Sequence, residues 1–276
     1  MSLAKLQPIA LEGAISTETA QVDFKIGLVT TAGGKFNSVQ KKIDYKDGRA
    51  VKDPKHSLNV TSGKFVDRTV TGMAGLAELI GLMSSTQALT LGICGHDQTQ
   101  KLVTAKKLKE ETGDYEIEGE ERTNVIARTK ECIHFTEVGA FFLLLDVDRE
   151  PGKPAMTAKE LRSLLASIVP EFSTVGSVLT KSSSSHIYLK STGECLNGEG
   201  NFHVFIPVSG DVSRFAETLK NKFWEAGLGF YKLAAPNTQT GVSAILERFP
   251  IDMCVLARER LVYEAGAKLP KELEQR

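Results

Sequence analysis

The sequence predicts an α+β fold in which helices cover one face of an antiparallel sheet. Three observations predict it. Residues 141–148 form an apolar run that ends in Asp146-Val147-Asp148, with Gly139 before it and Pro151-Gly152 after it. An uninterrupted apolar run of that length reads as a strand buried on both faces. Residues 202–208, Phe-His-Val-Phe-Ile-Pro-Val, make a second strong strand, and helical segments follow each of the two. From residue 141 onward the order is β-α-β-β-α-β, the ferredoxin-like or RNA-recognition-like arrangement. That arrangement hosts many functions and assigns none by itself.

The elements follow in order. Residues 22–43 are strand-like around a Gly33-Gly34 turn, and Lys46-Asp47-Gly48 reads as a second turn. Leu76, Leu79, Ile80 and Met83 give residues 72–83 helical spacing, and 88–94 is a short buried strand. The acidic stretch around Gly113 and Gly119 reads as a surface loop, before strand-like apolarity at 125–127 and 132–135. Thr157-Ala-Lys-Glu160 is a capping box for a helix to about Ile168, with Pro170 beyond it. Residues 175–180 are strand-like and lead into a Ser-rich turn. Asp211 or Ser213 caps a helix through Trp224 that Gly227 ends, and 228–233, 251–256 and 261–263 supply more strands. The expected organisation is an N-terminal α/β subdomain over 1–135, a catalytic sheet over 136–267 and a polar tail or linker over 268–276.

Composition bounds the function. The chain has 276 residues, 41% hydrophobic and 25% charged, with 34 basic and 34 acidic residues. A net charge of zero excludes a globally basic nucleic-acid binder. Charge is uneven, however. Residues 35–68 hold nine Lys or Arg against four Asp, so a local basic face could meet phosphates, or could be a solvated Lys-rich loop. No apolar stretch approaches the roughly 20 residues that span a bilayer, and residues 1–12 lack an export signal, so a cytoplasmic chain without membrane partners is expected. Cys94/His96 and Cys132/His134 could together hold zinc, but their spacing is unusual and buried, reduced thiols are the expectation.

Three polar features interrupt the apolar strands, where an unpartnered polar group is costly. They are Asp146/Asp148, His203 and Asp252. Residues two apart on a strand share a face, so Asp146 and Asp148 are expected side by side. Like charges so close repel and favour a bound cation, and carboxylate oxygens suit Mg²⁺. Taken alone, the pair also fits a solvated strand end with Arg149 as counter-ion. Three acids could hold two divalent ions about 3.5–4 Å apart for nucleotidyl transfer. A histidine beside the triphosphate, with Arg or Lys, could stabilise developing charge. The turn from Lys181 through Ser182, Ser183, Ser184 and Ser185 to His186 offers hydroxyls and backbone donors to phosphate oxygens, or is a mobile polar loop.

These segments resemble, in order, motifs of the archaeo-eukaryotic primase superfamily. The carriers are Asp146-Val-Asp148, the Lys181–Ser185 turn, Phe202-His203-Val-Phe205, Glu247-Arg248-Phe-Pro-Ile-Asp252 and Glu259-Arg260-Leu-Val-Tyr263. The likeness is to primase-polymerase domains of plasmids, phages and integrated elements. It covers residues 125–266 well and 41–92 faintly. It implies Asp146, Asp148 and Asp252 as ligands of two Mg²⁺ or Mn²⁺ ions, and His203 as a contact of the incoming nucleotide. It extends nucleotide binding to Lys181, Ser183, Ser185, Arg248 and Arg260, with Arg128 and Lys130 as weaker candidates. Both His186 and His203 could fill the histidine position, and the strand context favours His203. Implied partners are a single-stranded DNA template, NTPs or dNTPs, and a replicative helicase, fused or separate.

Two rivals belong to other classes. A catalytically inactive nucleic-acid-binding module of a replication initiator would use the sheet as a stacking platform. Phe202 and Phe205 lie on opposite sides of their strand, which disfavours a stacking face. A nicking relaxase would need paired histidines flanking a hydrophobic residue, and the sequence has none.

Overall fold

Apolar runs with buried alternation build one mixed sheet of nine strands, in a computed structural model that describes residues 22–33, 37–56, 58–112, 124–135, 140–148, 155–198 and 201–276. Numbered along the chain, these strands are β1 (Asp23–Thr31), β2 (Gly63–Thr71), β3 (Gln87–Thr90), β4 (Gln100–Val103), β5 (Val125–Ala127), β6 (Ala140–Val147), β7 (Val178–Lys181), β8 (Phe202–Ser209) and β9 (Leu261–Val262). The order across the sheet is β7-β8-β6-β1-β2-β4-β5, with β3 pairing β1 and β9 pairing β3. Four helices accompany them among the described residues: α1 (Gly72–Gly81), α2 (Ala105–Thr112), α3 (Ala158–Ile168) and α4 (Val212–Glu225). The fold is therefore mixed α and β, as predicted. None of these helices is long and apolar enough to cross a membrane.

Strand β6 is central because both of its faces find apolar cover. Phe141, Leu143, Leu145 and Val147 pack with Leu161 and Leu165 of α3 and Leu219 and Phe223 of α4. Phe142 and Leu144 point the other way, to Phe24, Ile26 and Leu28 of β1 and Leu76 of α1. Helices α3 and α4 thus share one face. Asp146 and His203 have the parity of the opposite face. Helix α3 begins where its capping box predicts, with the Thr157 side chain and Glu160 each accepting from the other's backbone N–H.

Several expectations change. The strand predicted over residues 251–256 is a 3₁₀ helix, Met253–Leu256, with Asp252 as its cap. The Asp252 carboxylate accepts from the Cys254 N–H at 2.9 Å, which curls the chain where an apolar run alone reads as extended. The neighbour of β6 opposite β8 is instead β1, in parallel through Phe24 and Ala140. Strands from both sides of residue 135 consequently belong to one sheet. Of residues 132–135, only His134 pairs, through an isolated bridge to Ile93.

The segment expected as a polar tail is built into the fold. Residues Ala267–Lys268 pair in parallel with the strand Lys41–Lys46. Residues Leu273–Gln275 pair antiparallel with Ile187–Leu189, and Leu273 is buried with Ile43 and Ile187. Apolar Leu273 supplies the anchor that a solvated linker would lack. The acidic loop around Gly113 and Gly119, Arg149 and the Pro151-Gly152 turn lie outside the described residues.

Candidate functional site

Strand register brings the first predicted residues together. In the antiparallel pair β6/β8, Asp146 lies opposite His203, and on β7 Thr180 lies opposite His203 in turn. The three form a row across three strands on one face. The His203 Nε2 is 3.4 Å from Asp146 Oδ1. Its Nδ1 is held in a short hydrogen bond by Glu264, whose side chain is only 1% exposed. Glu264 lies just past β9, after the Arg260-Leu-Val-Tyr263 segment.

The other two acids reach the same place by different routes. Asp148 lies one residue past the end of β6 and is exposed, so it is a strand-end residue and not a strand residue. The backbone N–H of Asp252 donates to the carbonyl of Asp146 at 2.9 Å, which sets the third acid beside the first. As placed, the Asp252 carboxylate caps Cys254 and faces the Arg260 guanidinium at 3.7 Å.

Electrostatics identify Asp146 as the perturbed centre. Burial pushes its carboxyl up to about 6, and the charges of Asp148 and Asp252 push the same way against His203 and Lys41. Its Oδ1 is buried with no hydrogen-bond partner, as is the Thr180 hydroxyl. Burial alone would lower the His203 imidazole. The hydrogen bond and charge of Glu264, followed by the charge of Asp146, outweigh it and hold His203 above its ordinary value. The Lys41 ammonium is lowered by burial, although Asp148, Asp146 and Glu264 oppose that shift.

The Ser-rich turn is packed into the fold. Ser182, Ser183 and Ser185 are buried. The Ser185 hydroxyl donates to the Ser182 and Asn201 carbonyls, each at 2.9 Å. The Gln275 amide donates to the Ser182 carbonyl at 3.2 Å and the Ser185 carbonyl at 2.9 Å. Lys41 Nζ reaches the Ser184 hydroxyl at 3.2 Å and that of Ser182 at 3.5 Å. The turn therefore meets the acids through Lys41. The hydroxyl of Ser185 supports the turn, and Lys181 donates to the Arg276 carbonyl at 2.7 Å.

Of the predicted cations, Arg260 joins the site through Asp252. Arg248 lies on an exposed hairpin (Phe230–Leu233 with Ile245–Arg248) and donates to the Glu247 carbonyl at 3.2 Å, so it is not part of the cluster around Asp146. Arg128 donates to the Glu259 carbonyl at 3.3 Å, and Lys130 offers its own carbonyl to Arg258 at 3.2 Å. His186 adopts a left-handed backbone with φ of 54°, and His203 is the histidine that meets Asp146.

Lys41, Glu264, Thr180 and Gln275 were not anticipated. Glu264 carried a signal, since it directly follows the last recurrent motif. Lys41 carried none, being one of nine cations in its stretch.

One observation bears on a divalent cation: the buried Asp146 Oδ1 makes no hydrogen bond, its nearest partner being His203 Nε2 at 3.4 Å, and two neighbouring carboxylates oppose its ionisation. Among the described residues, no three His, Cys, Asp or Glu side chains are arranged to hold an ion as they stand. At the zinc alternative, burial, then the Asp67 charge, push the Cys94 thiol up to about 12 in the metal-free protein. No described protein family, curated protein or solved structure matches the chain.

Proposed function

We propose that the chain is a template-directed DNA primase-polymerase that transfers nucleotides from NTPs or dNTPs to a 3′-hydroxyl during replication of a plasmid, phage or integrated element. One observation carries this reading: Asp146, whose buried Oδ1 makes no hydrogen bond, lies beside Asp252 and His203 near the end of a central strand that Asp148 follows. The finer fold reading, an RNA-recognition-like sheet, draws on the antiparallel set β7-β8-β6 with α3 and α4 on one face.

Asp146, Asp148 and Asp252 would hold Mg²⁺ or Mn²⁺. Such ions, when bound, activate the attacking hydroxyl and neutralise charge on the triphosphate and departing pyrophosphate. Asp146 contributes an oxygen that lacks any competing hydrogen bond. Asp252 contributes once its side chain leaves the Cys254 N–H, a rotation that exchanges one cap bond for a charged partner. His203, whose Nδ1 meets Glu264 and whose Nε2 faces Asp146, would as an imidazolium offer Nε2 to a phosphate oxygen as a donor. Arg260 and Lys41 supply positive charge on either side.

The rival, a silent DNA-binding module, needs exposed aromatics on the sheet. Phe202 and Phe205 are both buried, and they belong to clusters on opposite faces. A template-extension assay separates the two. With single-stranded template, labelled nucleotides and Mn²⁺, with and without primer, the wild type should make product and Asp146→Ala should lose it by at least about 10³-fold. Wild-type protein that binds DNA but extends nothing would favour the rival.

A further inference from the structure

The carboxylate of Glu264 is the most deeply buried charge partner in the site, and no proposed role accounts for it. It sits beyond β9, far in sequence from the strands it serves, yet it meets the side chain of His203 on β8. Paired with a carboxylate acceptor, Nδ1 carries the proton of this bond, and in the imidazolium form Nε2 is a donor as well. With Nδ1 engaged, the ring cannot turn freely, and Nε2 is directed to the Asp146 oxygen at 3.4 Å. The neighbouring Thr180 hydroxyl has no partner, so it does not compete for the ring. This is the logic by which a buried acid fixes the aim of a catalytic histidine and stabilises its imidazolium.

We propose that Glu264 is the positioning residue of this site: it orients His203 so that Nε2 donates to a phosphate oxygen of the incoming nucleotide. The inference rests on the polymerase reading above and goes beyond it in assigning Glu264. Glu264 itself touches neither substrate nor metal. Its effect passes entirely through His203.

That property makes it testable with Glu264→Gln, Glu264→Asp and His203→Ala, alone and combined, in template extension with dNTPs. Thermal denaturation and single-stranded DNA binding serve as folding controls. Glu264→Gln should lower kcat about 10- to 100-fold, the usual loss for a group that orients a first ligand. Glu264→Asp should recover part of that loss. The combined His203→Ala/Glu264→Gln variant should be no worse than His203→Ala alone, because both remove one function. Proton spectra should show a far-downfield Nδ1 resonance in the wild type that Glu264→Gln removes.

Two results would overturn the assignment. One is a well-folded Glu264→Gln variant with wild-type kcat. The other is a combined variant whose loss is the product of the single losses. A wild type that shows the downfield resonance but extends no template would remove the polymerase reading instead, and the catalytic role of Glu264 with it.

Discussion

At the residue scale, Asp146 is the most consequential side chain, because burial beside two other carboxylates makes its charged form costly. Its carboxyl rises from 3.8 to about 6, so the folded protein prefers it protonated. An acid raised on folding stabilises at low pH, and that contribution is lost as pH rises from about 4 to about 6. The shift corresponds to on the order of 3 kcal/mol. His203 is raised as well, so its contribution is present below 6.5 and is lost as pH climbs through its folded value. Asp146→Asn removes the first penalty. Without added metal it should be more stable than wild type at pH 7 by about 1–3 kcal/mol, with the gap closing below pH 4. Denaturant melts across that pH range measure it, and a variant of equal or lower stability at pH 7 would contradict the assigned burial. The two strands were legible from the sequence, but the register that sets Asp146 opposite His203 was not, because period-two alternation fixes faces and not cross-strand partners. Lys41 and Glu264 were not legible, because their positions depend on short parallel and turn segments with no sequence period.

At the scale of elements, long apolar strands and capped helices could be read directly, since burial and capping act within a few residues. Strand β6 and helix α3 illustrate this, one through its unbroken burial and the other through a reciprocal Thr157–Glu160 cap. Residues 251–256 could not, because an apolar run of that length fits either a strand or a single turn. The side chain of Asp252 decides the matter by accepting the Cys254 N–H. A second hidden determinant is Gly27 on β1. A Cβ there would lie 2.2 Å from the Thr90 hydroxyl, 2.4 Å from the Phe65 ring and 2.6 Å from the Gly92 carbonyl. The strands β1, β2 and β3 approach each other only because that atom is missing. Gly27→Ala should destabilise the protein by at least about 1–3 kcal/mol, the usual cost of overpacking a filled core. A melting temperature unchanged from wild type would show that the approach is looser than described.

On the scale of the whole molecule, the sheet is continuous across the division expected near residue 135. Strand β1 contacts β6 at Phe24 and Ala140, and β3 shares that same edge of β1 farther along. Composition could not reveal this, because pairing between distant segments leaves no local trace. The segment once expected to be a tail likewise holds the Ser-rich turn through Gln275, so that turn depends on the end of the chain. Lys41 comes from the first half, Asp146 and His203 from the second, and Glu264 from near the end. All of this assembly is arranged around three carboxylates that should share divalent ions.

Mn²⁺ binding followed by electron paramagnetic resonance tests that claim most directly. The wild type should show saturable sites that deplete the free-ion signal, and Asp146→Asn should lose them while remaining folded. Equal binding by the two proteins, or none by the wild type with nucleotide present, would contradict it.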